Sequence, residues 1–162
     1  MHKRGVTLIE ILIVLAILGI LASIVLVSTT LTRQMGNDSA TRQNIVNMST
    51  QATLYYNANG SSYEGLCDDT PPVNGARTLY SMLLKTQQSS KATYLVTSLS
   101  TQGATNRVTC HAKVGGWAVE APLTSMAPVH MYCIDSRGIA VVTQEPLQGL
   151  TDDVECGAPA PL

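Results

Sequence analysis

The first 27 residues, MHKRGVTLIEILIVLAILGILASIVLV, place a short basic start and one glycine before an apolar run that a single carboxylate, Glu10, interrupts. From Val6 to Thr32 there is no other charged side chain. As a helix rising 1.5 Å per residue this run would be roughly 40 Å long, enough to cross a hydrocarbon core about 30 Å thick. The expectation is a membrane-spanning helix over residues 6–32. His2, Lys3 and Arg4 fit retention of the short end in the cytoplasm, with the rest of the chain outside.

An ordinary export signal has its cleavage site after the apolar stretch and is discarded whole. Here the candidate cut, between Gly5 and Val6, comes before that stretch, so losing residues 1–5 keeps the anchor and leaves a free amine at its tip. Glu10 needs a reason to be there, because an ionised side chain at the centre of a bilayer costs about 2.5 to 3.5 kcal/mol on insertion scales. The new amine on a neighbouring copy of the same helix would supply one.

Gly5, Val6, Thr7, Leu8, Ile9 and Glu10, followed by the long apolar run, resemble the prepilin signature of type IV pilins and type II secretion pseudopilins. The resemblance implies that a prepilin peptidase cuts after Gly5 and that Val6 becomes the N-methylated first residue. Gly19 falls where the family often has a helix-loosening glycine. Val6 stands where phenylalanine is most common, and Val27 where many major pilins carry a proline that melts the helix in the filament. A signal anchor carrying an unrelated outer domain is the plainer alternative. It gives no cause for glycine, threonine and glutamate in this order.

After Leu31 the chain turns polar, yet Ile45, Met48, Ala52 and Tyr55 recur at spacings of three and four, one stripe of a helix. The anchor is expected to continue outward over 33–57, roughly 80 Å of helix in all if unbroken, with Gly36 and Asn37 as the weak point. Asn57, Asn59, Gly60, Ser61 and Ser62 mark the stop. The string LYYNANGSSY resembles the turn that closes this helix in many pilins. Residues 67–74, CDDTPPVN, read as loop because consecutive prolines remove donors and restrict their predecessors. Residues 78–85 suit a short helix. Five runs rich in β-branched or aromatic residues follow, at 93–97, 107–112, 117–120, 130–134 and 139–143. They predict an antiparallel meander of four or five strands packed on the outer half of the helix. The segments WAVEAPL and MYCIDSRG resemble the final hairpins of some pilin heads.

Four cysteines in an exported domain are read as two disulfides. Of three possible pairings, the expected one joins Cys110 to Cys133, each within a β run, and Cys67 to Cys156, tying the loop after the helix to the tail. Each bridge would contribute roughly 2 to 4 kcal/mol by restricting the unfolded chain.

Several constellations invite a chemical reading. Cys110, His111, His130 and Cys133 are residue types that zinc prefers, but adjacent strand residues point to opposite faces and no close Cys-x-x-Cys pair occurs. Asp152, Asp153 and Glu155, joined by Asp68 and Asp69 across a Cys67 to Cys156 bridge, would offer calcium its oxygen ligands; a solvated acidic patch is the simpler reading. His111 and His130 have potential acid partners in Asp135 and Glu120, with no strained nucleophile turn and no phosphate-cradling loop beside them. Tyr55, Tyr56 and Tyr63 suit packing better than a ligand platform. No metal, cofactor or catalytic activity is expected. The net charge of -1, or -3 once Lys3 and Arg4 are lost, gives no electrostatic footprint for nucleic acid.

The whole reading is an α+β protein resembling the type IV pilin ladle, with a leader at 1–5, a filament-core helix at 6–32, its amphipathic continuation at 33–57 and a disulfide-bonded β head at 58–162. The resemblance implies a helical homo-oligomeric filament. It would be drawn from the inner membrane to the cell surface by an assembly ATPase and platform protein, with Val6, Thr7 and Glu10 at the assembly contact. A type II secretion pseudopilin or minor pilin is the alternative in the same architecture. A membrane-anchored extracellular binding module is the alternative of another class.

Overall fold

The computed structural model describes residues 7–72, 75–149 and 153–157, and within them the side chains of all but residues 24–28. The elements run α1 (Leu8–Ala58), α2 (Tyr80–Ser90), β1 (Tyr94–Val96), β2 (Arg107–Lys113), β3 (Gly116–Leu123), β4 (His130–Asp135) and β5 (Ala140–Thr143). A long N-terminal helix and a mixed five-stranded sheet make an α+β protein consistent with the type IV pilin-like fold. The chain divides into two units, residues 1–34 and 35–162.

In the first unit, α1 is helical through Gly19, whose carbonyl accepts the Ser23 hydroxyl at 2.8 Å. Its side chains from Leu8 to Leu21 are apolar and exposed on every side apart from Glu10, so there is no stripe to lay against a core. Among the described residues no helix is long and apolar enough to cross a membrane. The span expected over 6–32 includes Val6 and the side chains of 24–28, which lie outside the described residues.

In the second unit the helix is amphipathic. Asp38, Thr41, Ile45, Met48, Ala52 and Tyr55 are buried at alternating spacings of three and four, which extends the predicted stripe by two polar residues. The helix runs through Gly36 and Asn37 and stops as its turn chemistry predicts. Gly60 and Ser61 both have φ of 63°, and the Ser61 N–H returns to the Tyr56 carbonyl at 3.0 Å, the long bond of a Schellman ending. The Tyr55 hydroxyl donates to the Glu64 carbonyl at 2.6 Å and holds the turn against the helix.

The short helix predicted over 78–85 extends to Ser90. Gln87, Gln88, Ser89 and Ser90 carry no apolar period to reveal it. They stay helical because Thr86 and Ser90 are buried with their hydroxyls bonded back to Met82 and Gln87, and Ser89 meets Thr41 of α1 at 2.9 Å.

The sheet order is β1-β2-β3-β4-β5. Three pairings are antiparallel as expected, but β1 pairs parallel with β2, Leu95 opposite Val108, so the sheet is mixed and not a plain meander. Residues 97–106 carry the chain back to the starting end of β1 before β2 begins, which is what a parallel neighbour demands. β3 continues past Glu120 through Pro122. Its register with β2 ends at Glu120, so Pro122 sits where β3 has β4 alone beside it and a missing donor breaks no second ladder.

Every residue of β3 is buried, because both faces of the sheet are covered. Cys110, Val119 and Ile134 share the face that packs, with Val108 and Trp117, on Ile45, Met48, Ala52 and Tyr55 of α1 and on Leu79 and Leu83. Tyr63 packs between Tyr56 and Trp117, with ring centroids 4.6 and 6.5 Å apart, so these aromatics serve packing. The opposite face holds a smaller cluster of Ala118, Cys133, Leu147 and Cys156.

These two faces overturn the expected disulfides. Cys67 bonds Cys110, and Cys133 bonds Cys156. Cys110 is opposite Val119 and Cys133 is opposite Glu120, adjacent residues of β3, so the two cysteines point to opposite faces of the sheet and cannot meet. Cys67 therefore closes the helix-side core and Cys156 pins the tail to the other side.

Asp38 joins α1 to the β3–β4 connection. Its carboxylate accepts the Thr124 N–H at 2.8 Å, the Ser125 N–H at 2.9 Å and both hydroxyls. Asp38→Ala removes a buried acceptor from two half-buried backbone donors, and is expected to cost about 1 to 3 kcal/mol in denaturant unfolding of the full chain in detergent.

Candidate functional site

Two places carry the unusual chemistry of the chain, the start of α1 and the sheet face remote from the helices. At the first, Thr7 precedes the first helical residue and its Oγ1 accepts the Glu10 N–H at 3.4 Å, while its carbonyl accepts the same N–H at 3.1 Å. Thr7 is thus the N-cap and Glu10 the third helical residue, the positions of a Thr-x-x-Glu capping box. The carboxylate also lies at the positive end of the helix dipole. Both side chains are exposed, and Leu8 and Ile9 beside them are 79% and 66% exposed. The structure therefore presents a polar tip on an apolar helix that is exposed among the described residues. Gly5 and Val6, the expected cleavage and methylation positions, lie outside the described residues.

On the remote sheet face, Thr109, His111, Ala118, Glu120, Cys133 and Asp135 project together by strand register. The segment after β5 and the 97–106 connection cover them. His111 is fully buried, with Nδ1 2.9 Å from the Asp153 carbonyl and Nε2 3.0 Å from the Thr101 carbonyl. The acid partners anticipated for it are engaged elsewhere. Asp135 takes the Arg137 guanidinium at 2.7 Å and the N–H groups of Arg137, Ile139 and Cys156. Burial would raise its pKa, but the guanidinium and these donors outweigh that and hold it below the ordinary value.

Glu120 has no such compensation. Oε2 accepts the Leu147 N–H at 3.0 Å, while Oε1 is buried without a partner, as is the hydroxyl of Thr109 directly across the ladder. The carboxyl is raised to about 7: burial, the largest cause, and the Asp153 charge push it up, against the Leu147 N–H and the nearby Thr109 hydroxyl, which pull it down. His130 stands apart at the start of β4, half-buried, with Nδ1 2.7 Å from the Pro128 carbonyl.

His111 and His130 therefore meet backbone carbonyls, His130 also the Gln144 side chain, and all four cysteines are consumed in disulfides. The calcium arrangement considered across a Cys67–Cys156 bridge is undone by the pairing, since Cys67 and Cys156 lie on opposite faces of the sheet. Glu155 is spent on Arg137 at 2.8 Å and Asp153 accepts the Gln148 N–H, while Asp152 lies outside the described residues. Among the described residues no group of three or more histidine, cysteine or acidic side chains is arranged to hold a metal.

The long helix, capped and apolar at its start, and the disulfide-bonded mixed sheet are consistent with a type IV pilin-like fold. Residues 1–26 match the prokaryotic N-terminal methylation motif, which is the type IV prepilin signature. This motif supports a protein of type IV pilin or pseudopilin type and points to a structural role, not an enzymatic one. Comparison with curated proteins returned no match, and comparison with solved structures returned none.

Proposed function

We propose that the chain is the structural subunit of a type IV pilus-like surface filament. The observation that carries this reading is the prepilin signature over 1–26 running directly into a helix whose apolar side chains face outward on every side. Such a helix needs an apolar environment, lipid before assembly and other copies of itself afterwards, where burial is worth about 25 cal/mol per Å². Prepilin peptidase removes residues 1–5 and Val6 is methylated. Glu10 pairs with the Val6 amine of an adjacent subunit and sets axial register. One heterologous contact repeated with a rotation that does not close gives an open filament. The assembly platform and its ATPase draw subunits from the membrane.

Intact-mass analysis of surface material, with electron microscopy of the same preparation, tests this. The expected result is a chain beginning at methylated Val6 as the main component of filaments that disappear when its gene is deleted. A chain starting at Met1, or one lacking the apolar run, overturns the processing. A correctly processed chain that never enters filaments reassigns it to a pseudopilin or a minor subunit.

A further inference from the structure

Of the residues after β5, those described, 144–149 and 153–157, lie on the remote sheet face like a strap. Its Leu147 N–H meets Glu120, its Leu147 carbonyl accepts the Gly103 N–H at 2.8 Å, its Asp153 carbonyl meets His111, and Cys156 bonds Cys133. Two glycines let the backbones approach this closely. A Cβ on Gly103 would collide with Glu120 Oε1, and one on Gly149 would come within 2.5 Å of the Gln102 nitrogen.

We propose that this strap is gated by the protonation state of Glu120, lying closed while the carboxyl is neutral and loosening when it ionises. Gly103 of the 97–106 connection, held down by the Leu147 carbonyl of the strap, covers Oε1, which has no aligned donor, so an ionised carboxylate is left with the Leu147 N–H on Oε2 as its one aligned bond and is expensive to bury. The neutral acid keeps the Leu147 bond and adds an O–H beside the orphaned Thr109 hydroxyl. Opening the strap is the way water reaches the charged form.

The surrounding charges do not relieve it. From β2, the Nη1 of Arg107 donates to the Gln102 carbonyl and His111 is held between two carbonyls. From β4, Asp135 is an acid already spent on Arg137. Among its described residues the strap brings only further acids, Glu145, Asp153 and Glu155, around a cavity of about 80 Å³ that Glu120 also lines. β5 and the 97–106 connection bring no titratable group.

Hydrogen exchange of the full chain in detergent micelles, at pH 5.5 and 8.5 and corrected for the intrinsic effect of pH, tests the gate. A carboxyl that titrates near 4.5 with the strap open and about 7 with it closed predicts about 30-fold weaker protection at pH 8.5 for the Leu147 and Gly103 amides, with the β3–β4 ladder unchanged. Glu120→Gln is neutral at both pH values and should abolish the response. Equal wild-type protection at both pH values overturns the proposal, and that comparison stands whether or not the variant folds. Persistence of the full response in Glu120→Gln overturns it equally.

Discussion

Glu10→Ala is expected to leave the protein inserted and its head folded while filament yield falls to a small fraction of wild type. Loss of the carboxylate makes the helix easier to keep in lipid, by about 2.5 to 3.5 kcal/mol on insertion scales. In the proposed filament it also strands the Val6 amine of a neighbour in a low-dielectric core, where an unpaired charge is costly. Insertion and assembly therefore move in opposite directions, which membrane fractionation and a sheared-filament assay on the same cells would record. Thr7 caps the helix through the backbone N–H of Glu10, so that cap survives the substitution. Glu10→Gln separates the two roles further: it keeps the size and the capping capacity of the third helical position but removes the charge. Wild-type filament yield from the glutamine variant would sink the charge-pair role.

Asp135→Ala is expected to cost the head about 2 to 4 kcal/mol, because it strips three backbone N–H groups of their acceptor at a side chain that is itself 0% exposed, while the half-exposed Arg137 keeps Glu155. The pH dependence has a definite sign. The Asp135 pKa is lower in the folded protein than its ordinary 3.8, so its contribution is complete above that value and is lost as pH falls through the folded one. Glu120 contributes oppositely, being raised from 4.5 to about 7, and its share is lost as pH rises through that upper value. Denaturant unfolding between pH 3 and 9 should show stability highest in mild acid. Asp135→Asn should flatten the acid limb alone, and an unchanged acid limb in that variant would remove Asp135 from the account.

Much of this protein could be read locally. The apolar run with its lone Glu10, the stripe of Ile45, Met48, Ala52 and Tyr55, the stop at Gly60 and the five β runs all follow from periods of 3.6 and 2 and from turn chemistry within a few residues. A glycine with positive φ after a helix, or a β-branched run between turns, states its own conformation. The polar end of α2 is not legible locally, because its period is carried by Thr86 and Ser90, whose hydroxyls bond back into the helix, and not by apolar side chains.

What the sequence determined by itself is the order and kind of the elements, the signature at the start of α1 and the presence of two bridges' worth of cysteines. The tertiary structure alone decided which faces meet. Alternation along β2 and β4 says that Cys110 and Cys133 each lie on one face, but only the register through β3 puts them on opposite ones, and the same register gathers His111, Glu120 and Asp135 beneath the strap. The parallel direction of β1 and the reach of Asp38 to Thr124 and Ser125 are non-local in the same way. The physical reason is that a period of two is set by the pleat of one strand, whereas register, direction and the burial of a charge are set by the free energy of the whole assembled core.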